Sequence, residues 1–175
     1  MKPHYNIKTI THAAFALLLC LFCLSFFRGP TSIISAFLIP VTIVLFDKYA
    51  SKYYYLILVS TLLPVTFILF QTQFIFILGY LLLALLLRAF LLNNERKLLL
   101  SFFRVINYYI SVVFVLYISI RFTDILLKTS LHLMMLSLTN NNAILYLIIL
   151  MVEGFAITVF NIIIFKLLQI RTNQN

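Results

Sequence analysis

Glu153 stands alone inside the apolar run LIILMVEGFAITVF. A carboxylate in such a setting can take up a proton, hold a cation or bond a neighbouring helix. On insertion scales an acidic group at mid-bilayer costs about 2.5 to 3.5 kcal/mol. The Leu, Ile, Met, Val and Phe residues around it offset that cost, but the carboxylate still needs a partner or a proton. Counting about 1.5 Å of rise per residue from the ends of two apolar runs sets Asn107 at the depth of Glu153, with Arg104 one turn below it. Asn161 follows Glu153 by two turns on much the same face, and Tyr108 and Tyr109 add hydroxyls. These positions predict a polar seam of Arg104, Asn107, Glu153 and Asn161 between the fifth and sixth runs. The seam reads equally as helix-to-helix glue, with each hydrogen bond worth about 0.6 and at most about 1.7 kcal/mol, or as a proton, ion or substrate site.

A second group lies in RFTDILLKTSLHLMMLSLTNNN. Arg121, Asp124, Lys128 and His132 recur at three- and four-residue steps and share one helical stripe. Phe122, Ile125, Leu126, Leu133 and Leu136 fall largely on the other side. The pattern predicts an amphipathic helix over 121–139 lying on the outer membrane surface, as a connector or as a lid or docking face. Asp124 precedes Lys128 by four residues, a pairing worth about 0.2–0.5 kcal/mol. Asn142 is placed to cap the helix that follows.

Other chemistry is thin. Cys20 and Cys23 form a CxxC in mid-run, where thiolates form poorly, and read as two small apolar residues. His4, His12 and His132 are too scattered for a metal site, and no metal or cofactor is expected. No glycine-rich phosphate loop or nucleophile elbow is present. Asp47, Glu95, Asp124 and Glu153 are the four acidic residues, and none are paired at motif spacing. An enzyme is the least supported class; a membrane-embedded lipid-modifying enzyme built on Glu153 or the Arg121/Asp124/His132 face is the third functional reading.

The elements that must carry these groups follow from composition. The 175 residues are 64% hydrophobic and 10% charged, with a mean hydropathy of +1.13. Soluble domains are nearer half apolar and about a quarter charged, so the solvent this chain suits is a bilayer. Backbone groups in lipid need internal partners, and the apolar runs are continuous rather than alternating, which selects helices over a barrel. The expected fold is therefore all-α: a polytopic integral membrane protein in a single domain, 1–175. Six transmembrane helices are expected at about 9–27, 31–46, 53–70, 74–92, 98–120 and 143–165, with kinks at Pro40 and Pro64.

Basic residues orient the chain. With the N-terminus in the cytoplasm, ten of the 13 Lys and Arg residues fall inside. Only Arg28, Arg121 and Lys128 fall outside, and the C-terminus is inside. The net charge of +9 is thus mainly a topology signal, and its scatter over several loops excludes a nucleic-acid partner. Lys2 and Lys8 precede an apolar run that ends FFRGP without a small-residue cleavage site, the pattern of an uncleaved first span. A basic chain without an N-x-S/T sequon suits a bacterial inner membrane. The expected partners are the lipid bilayer and a protein subunit of a membrane complex. The leading functional expectation is a non-enzymatic membrane subunit or accessory protein. A small transporter or ion-coupled permease using Glu153 is the alternative.

Overall fold

The computed structural model describes residues 7–27, 33–47, 53–92 and 98–172. The expectations placed on Arg28, Lys48, Lys52, Glu95, Arg96 and Lys97 lie outside these residues. Among the described residues seven helices follow one another: α1 (Ile7–Phe26), α2 (Ile33–Asp47), α3 (Tyr54–Leu69), α4 (Phe74–Leu92), α5 (Leu98–Leu127), α6 (Leu131–Leu138) and α7 (Ala143–Thr172). A 3-10 turn at Gln71–Gln73 joins α3 to α4. The described residues are 93% helical and contain no strand.

Among the described residues, four segments are long and apolar enough to cross a membrane: Ile7–Phe26, Gln71–Ala89, Phe102–Leu127 and Ala143–Ile164. α2 and α3 are apolar but short, with 15 and 16 residues. That is about 22 and 24 Å of helix, against a hydrocarbon core of about 30 Å.

The chain runs up and down the bundle. Gln73 reaches the backbone carbonyl of Phe27 at 3.5 Å, so the α3–α4 turn sits beside the end of α1. At the opposite end, the Tyr54 hydroxyl donates to the carbonyl of Ile43 at 3.1 Å. There Arg88 of α4 also lies 2.9 Å from Asp47 of α2. The Arg88 Nε makes this contact as an ion pair without hydrogen-bond alignment, and its guanidinium lies 5.0 Å from the centre of the Tyr55 ring. α2 and α3 thus supply Arg88 with a carboxylate and an aromatic face.

α2 is the hub, packed against α1, α4 and α7. Ser35, Ala36, Ile39, Val41, Ile43 and Val44 are all buried, pointing to several sides of the helix. A helix that is apolar all round belongs inside a protein. Enclosure also suits a short helix, because its flanks meet α1, α4 and α7. The outward faces of α1, α3, α5 and α7 expose Phe15, Phe22, Phe67, Phe103, Phe114 and Phe155 among many other apolar residues.

α5 is gripped on two sides through glycines. A Cβ built on Gly79 of α4 would lie 2.6 Å from Cγ1 of Val115, and one built on Gly154 of α7 would lie 2.5 Å from Cγ2 of Val113. Both neighbours are β-branched and stiff about χ1, so neither can swing away cheaply. Gly79→Ala and Gly154→Ala are expected to lower stability by about 1–3 kcal/mol each, read from denaturant titration in detergent; unchanged midpoints would show that the helices are not held at these points.

The region 121–139 differs from the single amphipathic helix expected there. α5 continues to Leu127, the chain breaks at Lys128 with φ 51°, and a separate short α6 covers Leu131–Leu138. The cause is Asp124. Its Oδ1 accepts from Thr129 Oγ1 and Leu131 N, and its Oδ2 accepts from His132 N, each at 2.7 Å. A carboxylate that captures two backbone donors of a following first turn starts a new helix rather than extending the old one. Asn142 caps α7 as expected, its Oδ1 accepting from Ile144 N at 3.0 Å and Leu145 N at 3.2 Å.

Candidate functional site

α5 and α7 pack antiparallel. Tyr108 meets Asn161, whose Nδ2 donates to the Tyr108 hydroxyl at 3.0 Å. Further along, the Tyr109 hydroxyl donates to the carbonyl of Met151 at 3.2 Å, and Val113 abuts Gly154. This register fixes where each member of the expected seam lies.

Asn161 is fully buried, and its Oδ1 has no hydrogen-bond partner. It faces α5, but it bonds Tyr108 and not Asn107. Asn107 is exposed, one residue or about 100° round α5 from Tyr108. Its carbonyl accepts from Ser111 Oγ at 2.8 Å. Arg104 is half-buried one turn nearer the start of α5.

Glu153 is half-buried. Because Gly154 lies against Val113, Glu153 stands at the level of Val113 rather than Asn107. Six residues separate those levels, or about 9 Å. Depth counted from run ends missed this because α5 and α7 each extend beyond the apolar runs and are displaced along one another.

Rotation matters as much as depth. The eight residues from Glu153 to Asn161 leave a residual turn of about 80°. Asn161 therefore faces α5, while Glu153 shares a flank of α7 with Tyr146 and Phe160. Phe160 meets Phe37 of α2 edge-on at 5.0 Å, so this is the α2 flank. Among the described residues, Glu153 has no hydrogen bond or ion pair. Its electrostatic neighbour is Tyr146, two turns nearer α6.

Tyr146, which the sequence reading did not single out, is the centre of the second polar group. It is 3% exposed, and its hydroxyl has no hydrogen-bond partner. The His132 ring stands edge-on to it at 5.2 Å, and His132 Nδ1 is likewise buried without a partner. Tyr117, Arg121, Asp124 and Glu153 all lie within electrostatic range of the Tyr146 hydroxyl. The stripe Arg121, Asp124, Lys128, His132 is thus divided. Asp124 and His132 turn inward, while Arg121 and Lys128 are exposed. The signal for Tyr146 was in the sequence: it precedes Glu153 by seven residues, two turns on one face.

An apolar groove of about 320 Å³ opens on the other flank of α7, lined by Tyr109, Ile148, Met151, Val152 and Phe155. Cys20 and Cys23 are buried and unlinked. Among the described residues no group of three His, Cys, Asp or Glu side chains is placed to hold a metal ion. No family model matches the chain, and neither the curated proteins nor the solved structures contain a match.

Two outcomes follow from this geometry. Replacing Asp124 with Ala removes a helix cap and a charged acceptor of three bonds, a loss of about 1–3 kcal/mol. The Leu131 and His132 amides should then exchange with solvent at least about tenfold faster, and unchanged exchange would place the anchor of α6 elsewhere. A double-mutant cycle of Tyr108→Phe and Asn161→Leu should return a coupling of about 0.6–1.7 kcal/mol, whereas additive effects would show that this bond contributes nothing to packing.

Proposed function

We propose that this chain is an integral membrane protein of six spans with both ends cytoplasmic, and that it serves as a non-enzymatic subunit or accessory protein of a larger membrane or envelope assembly. The observation that carries the reading is Glu153. It is a half-buried carboxylate in mid-helix with no hydrogen bond or ion pair to the described residues of its own chain. A group so placed is costly in lipid, and a donor or cation on a partner helix at the α2 flank of α7 would satisfy it. α6 adds a second candidate contact, since Leu133, Met134 and Leu138 are turned outward.

Six spans are supported by the alternating run of the helices and by the enclosure of α2 among α1, α4 and α7. The excess of Lys and Arg at one set of loops supports the orientation. The same charge bias, with no glycosylation sequon, favours a bacterial inner membrane. Purification in mild detergent should yield a stoichiometric partner that Glu153→Gln weakens. A folded protein that purifies alone and whose Glu153→Gln form is unaltered in the cell counts against the assembly reading. Reporter fusions at the two ends check the orientation, and opposite sides would overturn it.

A second reading is a small ion-coupled permease. It is favoured by the alignment of two unpartnered polar groups, Tyr146 and His132, on the α6 side of Glu153. Glu153-dependent flux into liposomes holding only this protein supports it, and flux indifferent to Glu153→Gln removes it.

A further inference from the structure

We propose that the outward face of α5 holds an anionic phospholipid of the leaflet on the α6 side, its phosphate beside Arg121 and Lys128 and an acyl chain along Phe114 and Ile110.

Five side chains make the site. Ile110, Phe114, Arg121, Ile125 and Lys128 follow one another at steps of four, seven, four and three residues. At about 100° per residue these steps keep them on a stripe about 60° wide. All five are exposed. The buried residues Val112, Leu116, Ser119 and Thr123 mark the opposite face of the same helix.

Depth divides the stripe into an apolar and a charged part. The 17 residues from Arg104 to Arg121 make about 26 Å of helix, close to the hydrocarbon thickness of about 30 Å. α5 therefore crosses with one arginine near each headgroup boundary. Phe114 and Ile110 lie about 10 and 16 Å below Arg121, the depth of one leaflet's acyl chains. Lys128 follows the last residue of α5, about 10 Å on the headgroup side of Arg121.

No acidic group neutralises the two cations. The ion pair of Asp124 with Lys128 that their spacing favours is not formed, because the carboxylate is turned to Thr129, Leu131 and His132. Among the described residues Arg121 and Lys128 have no hydrogen bond or ion pair. At the other end of the bundle Arg88, by contrast, has Asp47.

Charge and shape together select the occupant. A guanidinium presents a fork of donors that fits phosphate oxygens, and the exposed apolar residues beneath it fit a chain. One anionic phospholipid satisfies both parts. A zwitterionic phospholipid brings its own cation to the pair and loses most of the attraction. Soluble phosphate reaches only the cations, and an acidic segment in water leaves Phe114 and Ile110 without a companion. Each basic residue near an anionic headgroup is worth about fivefold in affinity.

The test is photo-crosslinking of the full-length protein in phosphatidylcholine vesicles. The probes are a phosphatidylglycerol and a phosphatidylcholine with the same diazirine-bearing acyl chain, and labelled peptides are mapped by mass spectrometry. In the wild-type protein the phosphatidylglycerol probe should label residues 110–118 about tenfold more than the phosphatidylcholine probe. This comparison needs no variant. With Arg121→Gln and Lys128→Gln together, phosphatidylglycerol labelling should fall to the phosphatidylcholine level. Unchanged phosphatidylcholine labelling in that variant shows that the face is still folded. Excess soluble glycerol phosphate should leave the labelling as it was. Equal labelling by the two probes in the wild type, or a phosphatidylglycerol preference that survives both substitutions, would overturn the lipid site. Displacement by soluble glycerol phosphate would overturn it in favour of a free-anion site.

Discussion

The close approach of α5 to α4 and α7, made at Gly79 and Gly154, sets the depth of every polar group in the middle of the molecule. Without a hydrophobic driving force between helices in lipid, association rests on backbone proximity and a few polar bonds. Here the two glycines supply the proximity, and Tyr108, Tyr109 and Asn161 supply the bonds. A slide of one turn along this contact would carry Glu153 about 5.4 Å toward one end of the bundle. The site is therefore a consequence of packing at residues that have no chemistry of their own.

Polar side chains are used differently at the ends and in the middle. At one end Asp47, Arg88 and Tyr55 neutralise one another and tie α2, α3 and α4 together. At the other, Asp124 is committed to the start of α6. Beside it Tyr146 and His132, and deeper in α7 Glu153, are left without such closure. The contrast separates groups that complete the architecture from groups that do not, and Tyr146 and Glu153 share one flank of α7.

Most of the helices were legible because apolar runs and charged breaks are strong signals. The expected ends of the first four runs fall within about two residues of α1 to α4, which is ordinary scatter for helix termini. The region after Ile120 was not legible, because a three-and-four spacing of polar residues fits both a continuing helix and a carboxylate reaching forward to cap a new one. Only the Asp124 rotamer distinguishes them. The seam was half legible. Composition singled out Glu153 and Asn161, but the partner of Asn161 is Tyr108, one residue from the expected Asn107. Axial offset between helices and an 80° remainder of rotation are tertiary quantities, and a single sequence does not state them.

The enclosure of α2 has a consequence for assembly. It is covered by α1 and α4, and its remaining flank is closed by α7, far downstream in the chain. Until α7 arrives, a short helix with apolar residues on every side has one flank uncovered. The enclosure of α2 is therefore complete only once α7 has been made and has packed against it.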